Sequence, residues 1–142
     1  DDMKKLFDIN FFSQLAFTQI LIKKIIKSKN GSIINITSTA ATDPVEGRIS
    51  YSCSKSSMLT FSKILSKELG RYNVRVNCIA PGLTNTDLMN ESHAKQIIEE
   101  TIKKTSFNKI AEPIDIAKVI LFFASDLSTH ITGEVLRVDG GS

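Results

Sequence analysis

The chain has no tryptophan, two cysteines, two histidines and three prolines among its 142 residues. Cys53 and Cys78 belong to no C-x-x-C pair and no spaced framework. That argues against a zinc site or a disulfide scaffold and makes reduced, buried thiols of a cytosolic protein the default. His93 and His130 stand alone, so no metal-ligating cluster is expected and each histidine reads as a surface residue. Charge of one sign is also scarce. The formal net charge is +3, too little for a nucleic-acid binder, which concentrates Lys and Arg on one face. The densest basic run, "KKIIKSK", sits where a helix should end, and cations favour helix C-termini. An acidic partner is the alternative reading of that run. No long hydrophobic run is present. The most apolar stretch, "INFFSQLAFTQILI", covers 14 residues and contains Asn10, Gln14 and Gln19, short of the roughly 18 that suggest a membrane span. No signal peptide opens the chain, and a cytoplasmic location is expected. The first residue is not Met and the sequence starts inside a helical pattern, so a piece of a longer protein is expected.

Enough apolar residues remain for one domain with a core: 42% are hydrophobic and 23% charged. Residues 1 to about 28 read as one helix, with apolar positions at Met3, Leu6, Phe7, Phe11, Leu15, Ile22, Ile25 and Ile26. Phe12, Phe17, Ile20 and Leu21 widen the stripe, which predicts burial on more than one side. Gly31 is the expected C-terminal cap. "SIINIT" is a β-branched run and reads as a buried strand. A small-residue loop follows, and Ser50 is placed to cap a helix from about Tyr51 to Leu69 that Gly70 ends. "NVRVNCIA" reads as a second strand, "PGLTNTD" breaks regular structure, and a polar helix covers about Glu91 to Lys104. Another helix starts at Pro113, a favoured first position, and runs to about Ala124. "EVLRV" (Glu134 to Val138) is the last strand. The alternation predicts an α/β fold with parallel strands, helices on both faces and right-handed crossovers.

Such sheets bind ligands outside the carboxyl ends of their strands. Ser38 directly follows the first strand, Tyr51 opens the next helix, and "PGLTNT" follows the second strand. Lys55 lies one turn beyond Tyr51 on the same helix face. A Tyr four residues before a Lys is a weak signal by itself, and an ordinary half-buried helix pair is the bland alternative. Together the groups have a definite chemistry. A nearby cation favours a phenolate, so the phenol can exchange a proton with a carbonyl oxygen while hydride reaches or leaves its carbon. Ser38 can hold the same oxygen as charge develops there. No side chain carries hydride, so a cofactor is required.

These residues resemble the short-chain dehydrogenase/reductase family over essentially all 142 residues. Tyr51 and Lys55 match the family's Tyr-x-x-x-Lys, and Ser38 in "NITS" matches its catalytic serine. Asn10 in "LFDIN" matches its helix asparagine. Pro81, Gly82 and Thr86, with Thr84 between them, match its Pro-Gly-x-x-x-Thr nicotinamide loop. The resemblance implies a Rossmann-type doubly wound parallel sheet, of which residues 1–142 would form the C-terminal, catalytic half. It implies that Asn10 holds a water in a proton relay through Lys55, and that Tyr51, Lys55 and the Pro81–Thr86 loop contact NADP or NAD, with NADPH slightly favoured. It also implies a homo-oligomer, dimer or tetramer, that uses the last strand. The family's Thr-Gly-x-x-x-Gly-x-Gly loop and Asn-Asn-Ala-Gly motif normally lie upstream and are not in this sequence. Residues 1–142 alone are therefore expected neither to bind a dinucleotide tightly nor to turn over, and the first strand is expected to be an open sheet edge.

"VRVNCIAPG" and the closing segment resemble bacterial 3-oxoacyl-acyl-carrier-protein reductases. Those carry Gln and Asn before the tyrosine, where this sequence has Arg48, Ile49 and Ser50. These three are expected at the substrate mouth. Arg48 either meets an acidic substrate group or is a solvated loop arginine. A carbonyl or alcohol substrate linked to acyl carrier protein is the first expectation. A sugar, polyol or other small alcohol is the second, and a non-catalytic oligomerisation module the third.

Overall fold

The computed structural model describes residues 2–86 and 92–142. Three parallel strands form its sheet: β1 (Ser32–Ile36), β2 (Arg75–Pro81) and β3 (Val135–Val138), in that spatial order. Ile33 pairs with Val76 and Asn35 with Cys78, while Ile79 pairs with Leu136. β2 is central and buried along nearly its whole length, as a strand covered on both faces must be. β1 is an edge, as expected from the sequence.

Side chains alternate across β2. Val76 packs with Leu65 and Leu69 of α3 (Ile49–Leu69) and with Ile22, Ile25 and Ile26 of α2 (Ser13–Lys27). Arg75 points the other way, to the C-terminal end of α5 (Pro113–Ala124). α3 presents Ser52, Ser54, Ser62 and Ser66 to the interior. Small residues allow close approach: a Cβ on Gly133 would lie 2.9 Å from the Ser66 Oγ.

The first helix is not uniform. α1 (Met3–Phe7) and α2 flank a π-helical turn at Asp8–Phe12. Periodicity could not show this, because one extra residue in a turn barely changes an apolar stripe. Phe11 packs edge to face on Phe61, ring centroids 6.2 Å apart, and pins the turn to α3. The broad stripe is covered on one side only: Phe17 and Ile20 are exposed, so burial on a second face is not found among the described residues.

Several boundaries differ from the sequence reading. α3 begins at Ile49, with Arg48 at the N-cap and Ser50 inside the first turn. The left-handed residue closing α2 is Lys29 (φ 62), not Gly31. Gly31 is needed for space instead, since a Cβ there would sit 2.5 Å from Ile25 Cγ2. Likewise Gly70 stays right-handed and Asn73 (φ 57) makes the reversal after α3, its side chain donating to the Lys29 carbonyl. α4 covers Ser92–Lys104, and Glu91 lies outside the described residues. α5 starts at Pro113 inside a reciprocal capping box made by Glu112 and Asp115. Cys78 is buried, which pushes its thiol up from the ordinary value, but Cys53 is exposed. His130 is exposed, and the His93 side chain lies outside the description. Gly31→Ala is expected to destabilise the protein by about 1–3 kcal/mol through overpacking, read as a lower urea midpoint.

Candidate active site

The carboxyl ends of β1 and β2 form one rim. Thr37 locks it: its N–H and its hydroxyl both donate to the Ile79 carbonyl, at 2.8 and 3.0 Å. Ser38 comes next, and its Oγ accepts the Ala40 N–H at 3.2 Å. That bond uses a lone pair and leaves the hydroxyl proton free to donate. It also starts a 3₁₀ turn at Thr39–Ala41 that swings the chain up beside the sheet.

Ser38, Arg48, Tyr51, Gly82 and Thr84 line one cleft of about 740 Å³. Tyr51 is half-buried in the first turn of α3. Lys55 Nζ lies 5.9 Å from the Tyr51 ring centre and donates to the Ile36 carbonyl at 3.2 Å. Burial holds the Lys55 ammonium below the usual lysine range. Lys55 and Asn10 line a separate, smaller pocket of about 280 Å³.

The Asn10 amide donates to Ser54 Oγ at 3.0 Å, and Ser54 Oγ donates to the Tyr51 carbonyl at 2.8 Å. So the π turn reaches the Tyr51 main chain through a serine that the sequence reading passed over. Ser54 sits beside Lys55 in "YSCSK", but nothing local shows that a residue 44 positions away will meet it.

The loop after β2 is tied down. Leu83 and Asn85 bond to Ala111, and the Thr84 hydroxyl donates to the Gly82 carbonyl at 3.1 Å. Thr84 thereby faces the cleft, whereas Pro81 and the exposed Thr86 lie outside its lining. Ile49 and Ser50 are also outside it, and only Arg48 of that trio lines the cleft.

The far wall carries a charged group the sequence reading missed, Arg137 of β3, with Asp43 and Asp139 as partners. Burial pushes the Asp139 carboxyl up, but the Gly141 N–H and the Arg137 guanidinium outweigh it and hold it below the usual range.

A nicotinamide dinucleotide suits these residues. The Lys55 ammonium has three protons and, among the described residues, one acceptor, the Ile36 carbonyl, so two remain to donate to hydroxyls such as those of a ribose.

Among the described residues no helix is long and apolar enough to cross a membrane.

The family described as enoyl-(acyl carrier protein) reductase matches residues 1–142. The 3-oxoacyl-[acyl-carrier-protein] reductase FabG of Chlamydia trachomatis is 40% identical over 99% of this chain and 56% of its own length. A crystal structure of a 3-oxoacyl-[acyl-carrier protein] reductase with bound NAD, from Brucella melitensis, is 30% identical with a TM-score of 0.85, over 99% of this chain and 52% of that one. A short-chain type dehydrogenase/reductase from Mycobacterium ulcerans is 27% identical with a TM-score of 0.90, over 98% of this chain and 51% of that one. The chain thus spans just over half the length of the proteins it matches. A parallel sheet with Ser38 and Tyr51 at its carboxyl rim, and family likeness along the whole chain, lead to one conclusion: it belongs to the short-chain dehydrogenase/reductase family.

Proposed function

We propose that the full-length protein is a cytoplasmic, nicotinamide-dependent oxidoreductase that interconverts a ketone and a secondary alcohol. The favoured substrate is a 3-oxoacyl group carried on acyl carrier protein, the substrate named for its relatives. The observation that carries the reading is the shared cleft of Ser38 and Tyr51, with the Lys55 ammonium behind the ring.

When bound, the reduced nicotinamide supplies hydride to the carbonyl carbon. The Ser38 hydroxyl donates a hydrogen bond to the carbonyl oxygen and orients it. The Tyr51 phenol gives its proton to that oxygen as charge develops. Lys55 supports the negative charge left on the phenol oxygen by Coulomb attraction and donates to ribose hydroxyls. The small pocket shared by Asn10 and Lys55 has room for water, which supports a relay returning the proton to Tyr51. Gly82 and Thr84, flanked by Pro81 and Thr86, hold the nicotinamide side. On this reading residues 1–142 alone bind dinucleotide weakly and do not turn over.

A sugar or polyol is the second reading. The cleft wall holds Asp43, Glu46, Arg48, Glu100, Lys104 and Arg137, charged side chains that can hydrogen-bond a hydroxyl-rich substrate. A homo-oligomer is also inferred, because Phe17 and Ile20 on α2 and Leu121 on α5 are exposed apolar residues.

The full-length protein, given NADPH or NADH with a 3-oxoacyl thioester or a ketose, is expected to consume reduced cofactor with the thioester. Consumption with the ketose alone would move the assignment to the second reading, and no consumption with either would reject both.

A further inference from the structure

Residues 42–48 connect the Ser38 turn to α3, and all of them are exposed. Among the described residues they make one long-range polar contact, from Asp43 to Arg137, 94 positions away. Every other hydrogen bond in the segment is local: Asp43 N–H to the Thr39 carbonyl, Thr42 to Thr39, Arg48 N–H to the Val45 carbonyl, and the Ser52 N–H of the first turn of α3 to the Arg48 carbonyl. Gly47 adds a left-handed residue (φ 80) with no atoms near its Cβ position. So the segment is bonded only at its two ends and within itself, and one ion pair ties it to a distant element.

The other end of that pair is firmly held. Arg137 Nε donates to Asp139 Oδ2 at 2.7 Å, and Nη2 donates to the main-chain oxygen of Ser142 at 2.8 Å. Asp139 accepts the Gly141 N–H at 3.0 Å. A Cβ on Gly82 would lie 2.8 Å from the Asp139 Cβ, so this anchor packs directly on the loop after β2. The Asp139 side chain is 8% exposed and the Asp43 side chain 63%. The inner pair is therefore the more enclosed of the two, and the outer pair is open to water and ions.

We propose that Arg137 is a positioning residue, a latch that holds segment 42–48 against the end of β3 and so sets the opening of the substrate cleft. Asp43 and Arg137 both line that cleft, together with Ser38, Tyr51 and Gly82. Closing the latch fixes the distance between the wall that carries the reacting hydroxyls and the wall that packs on the nicotinamide loop. Substrate reaches Tyr51 past this segment, so the latch acts on substrate binding more than on the proton transfer. Exposed ion pairs weaken with salt, which makes the opening sensitive to ionic strength.

The catalytic part of this inference rests on the proposed oxidoreductase activity, but the latch itself does not. The test uses the full-length protein and its Asp43→Asn, Arg137→Lys and Arg137→Met variants, together with the double variant Asp43→Asn/Arg137→Met. Hydrogen exchange followed by mass spectrometry reads the segment directly. Peptides covering 42–48 are expected to exchange about three- to fivefold faster in Asp43→Asn, the scale set by an exposed ion pair. Arg137→Lys restores part of the protection. In kinetics, Asp43→Asn raises substrate KM about three- to fivefold with little change in kcat, and the double variant is no worse than Arg137→Met, because two partners of one interaction are not additive. The wild-type KM rises with added salt, and the Asp43→Asn KM does not. Equal exchange of 42–48 in wild type and Asp43→Asn overturns the latch, whatever the activity. Faster exchange with an unchanged, equally salt-dependent KM overturns its role at the cleft. Absence of any activity with clear changes in exchange rejects the oxidoreductase reading and leaves the latch standing.

Discussion

Tyr51→Phe in the full-length protein is expected to lower kcat by about a hundred- to ten-thousandfold, the range for losing a positioned proton donor, while leaving dinucleotide affinity nearly unchanged. Phenylalanine keeps the ring that fills the first turn of α3 and removes only the hydroxyl. Ser38 still donates to the substrate oxygen, and Lys55 still bonds the Ile36 carbonyl, so the substrate and cofactor walls persist. What is lost is the proton that must reach the oxygen as the carbon gains hydride. The experiment pairs steady-state kinetics with a fluorescence titration of the reduced dinucleotide. Near-normal turnover in this variant would remove Tyr51 from the reaction. A parallel loss of dinucleotide binding would make it a structural residue of the cofactor site instead.

The largest stability effect is expected at Arg75. Its side chain is 6% exposed, and among the described residues no carboxylate pairs with it. The guanidinium instead closes the end of α5: Nη1 donates to the Phe123 carbonyl and to Ser128 Oγ, each at 2.7 Å, and Nη2 reaches the Ser125 carbonyl at 3.4 Å. A helix C-terminus offers unpaired carbonyls and a partial negative charge, which suits a cation. Two effects oppose each other. Burying the guanidinium costs solvation, and Nε finds no partner among the described residues. Against that stand hydrogen bonds from a charged donor, about 1.5–3 kcal/mol each where geometry is good. Two bonds at 2.7 Å win, so Arg75→Ala, which also opens a cavity, is expected to cost about 2–4 kcal/mol. Arg75→Met refills the volume without the donors and should fall between wild type and alanine. Urea unfolding of the full-length protein reads both. An alanine variant as stable as wild type would mean that the solvation cost cancels the bonds, and the capping account would be abandoned.

Much of the fold was legible because its cues are local. "SIINI" is β-branched and short, Pro113 marks a helix start, and the apolar positions of α3 recur at helical spacing, so these elements appear within a residue or two of their expected bounds. The errors fall where a local cue had two physical solutions. Gly31 could end a helix through a left-handed backbone or through lack of bulk, and the packing of Ile25 chose the second. Cys53 follows the buried Ser52 and precedes the buried Ser54, yet it faces solvent, because the helix rotates it away from the sheet.

The same division applies to the site. Tyr51 and Lys55 are one turn apart on one helix, and a helix brings such pairs together whatever surrounds it. Ser38 and the Gly82 loop follow strands, and parallel strands deliver their carboxyl ends to one rim. Chain order therefore sufficed to bring these groups together. It could not show that Asn10 would reach Tyr51 through Ser54, that Thr84 rather than Thr86 would face the cleft, or that Asp43 would meet Arg137. Those contacts join residues far apart in sequence, or depend on which way a loop is pulled by Ala111. By itself the sequence determined which chemical groups stand at the rim. The tertiary structure decided which of them touch, because crossover packing and strand register, not residue spacing, set the distances between separate elements.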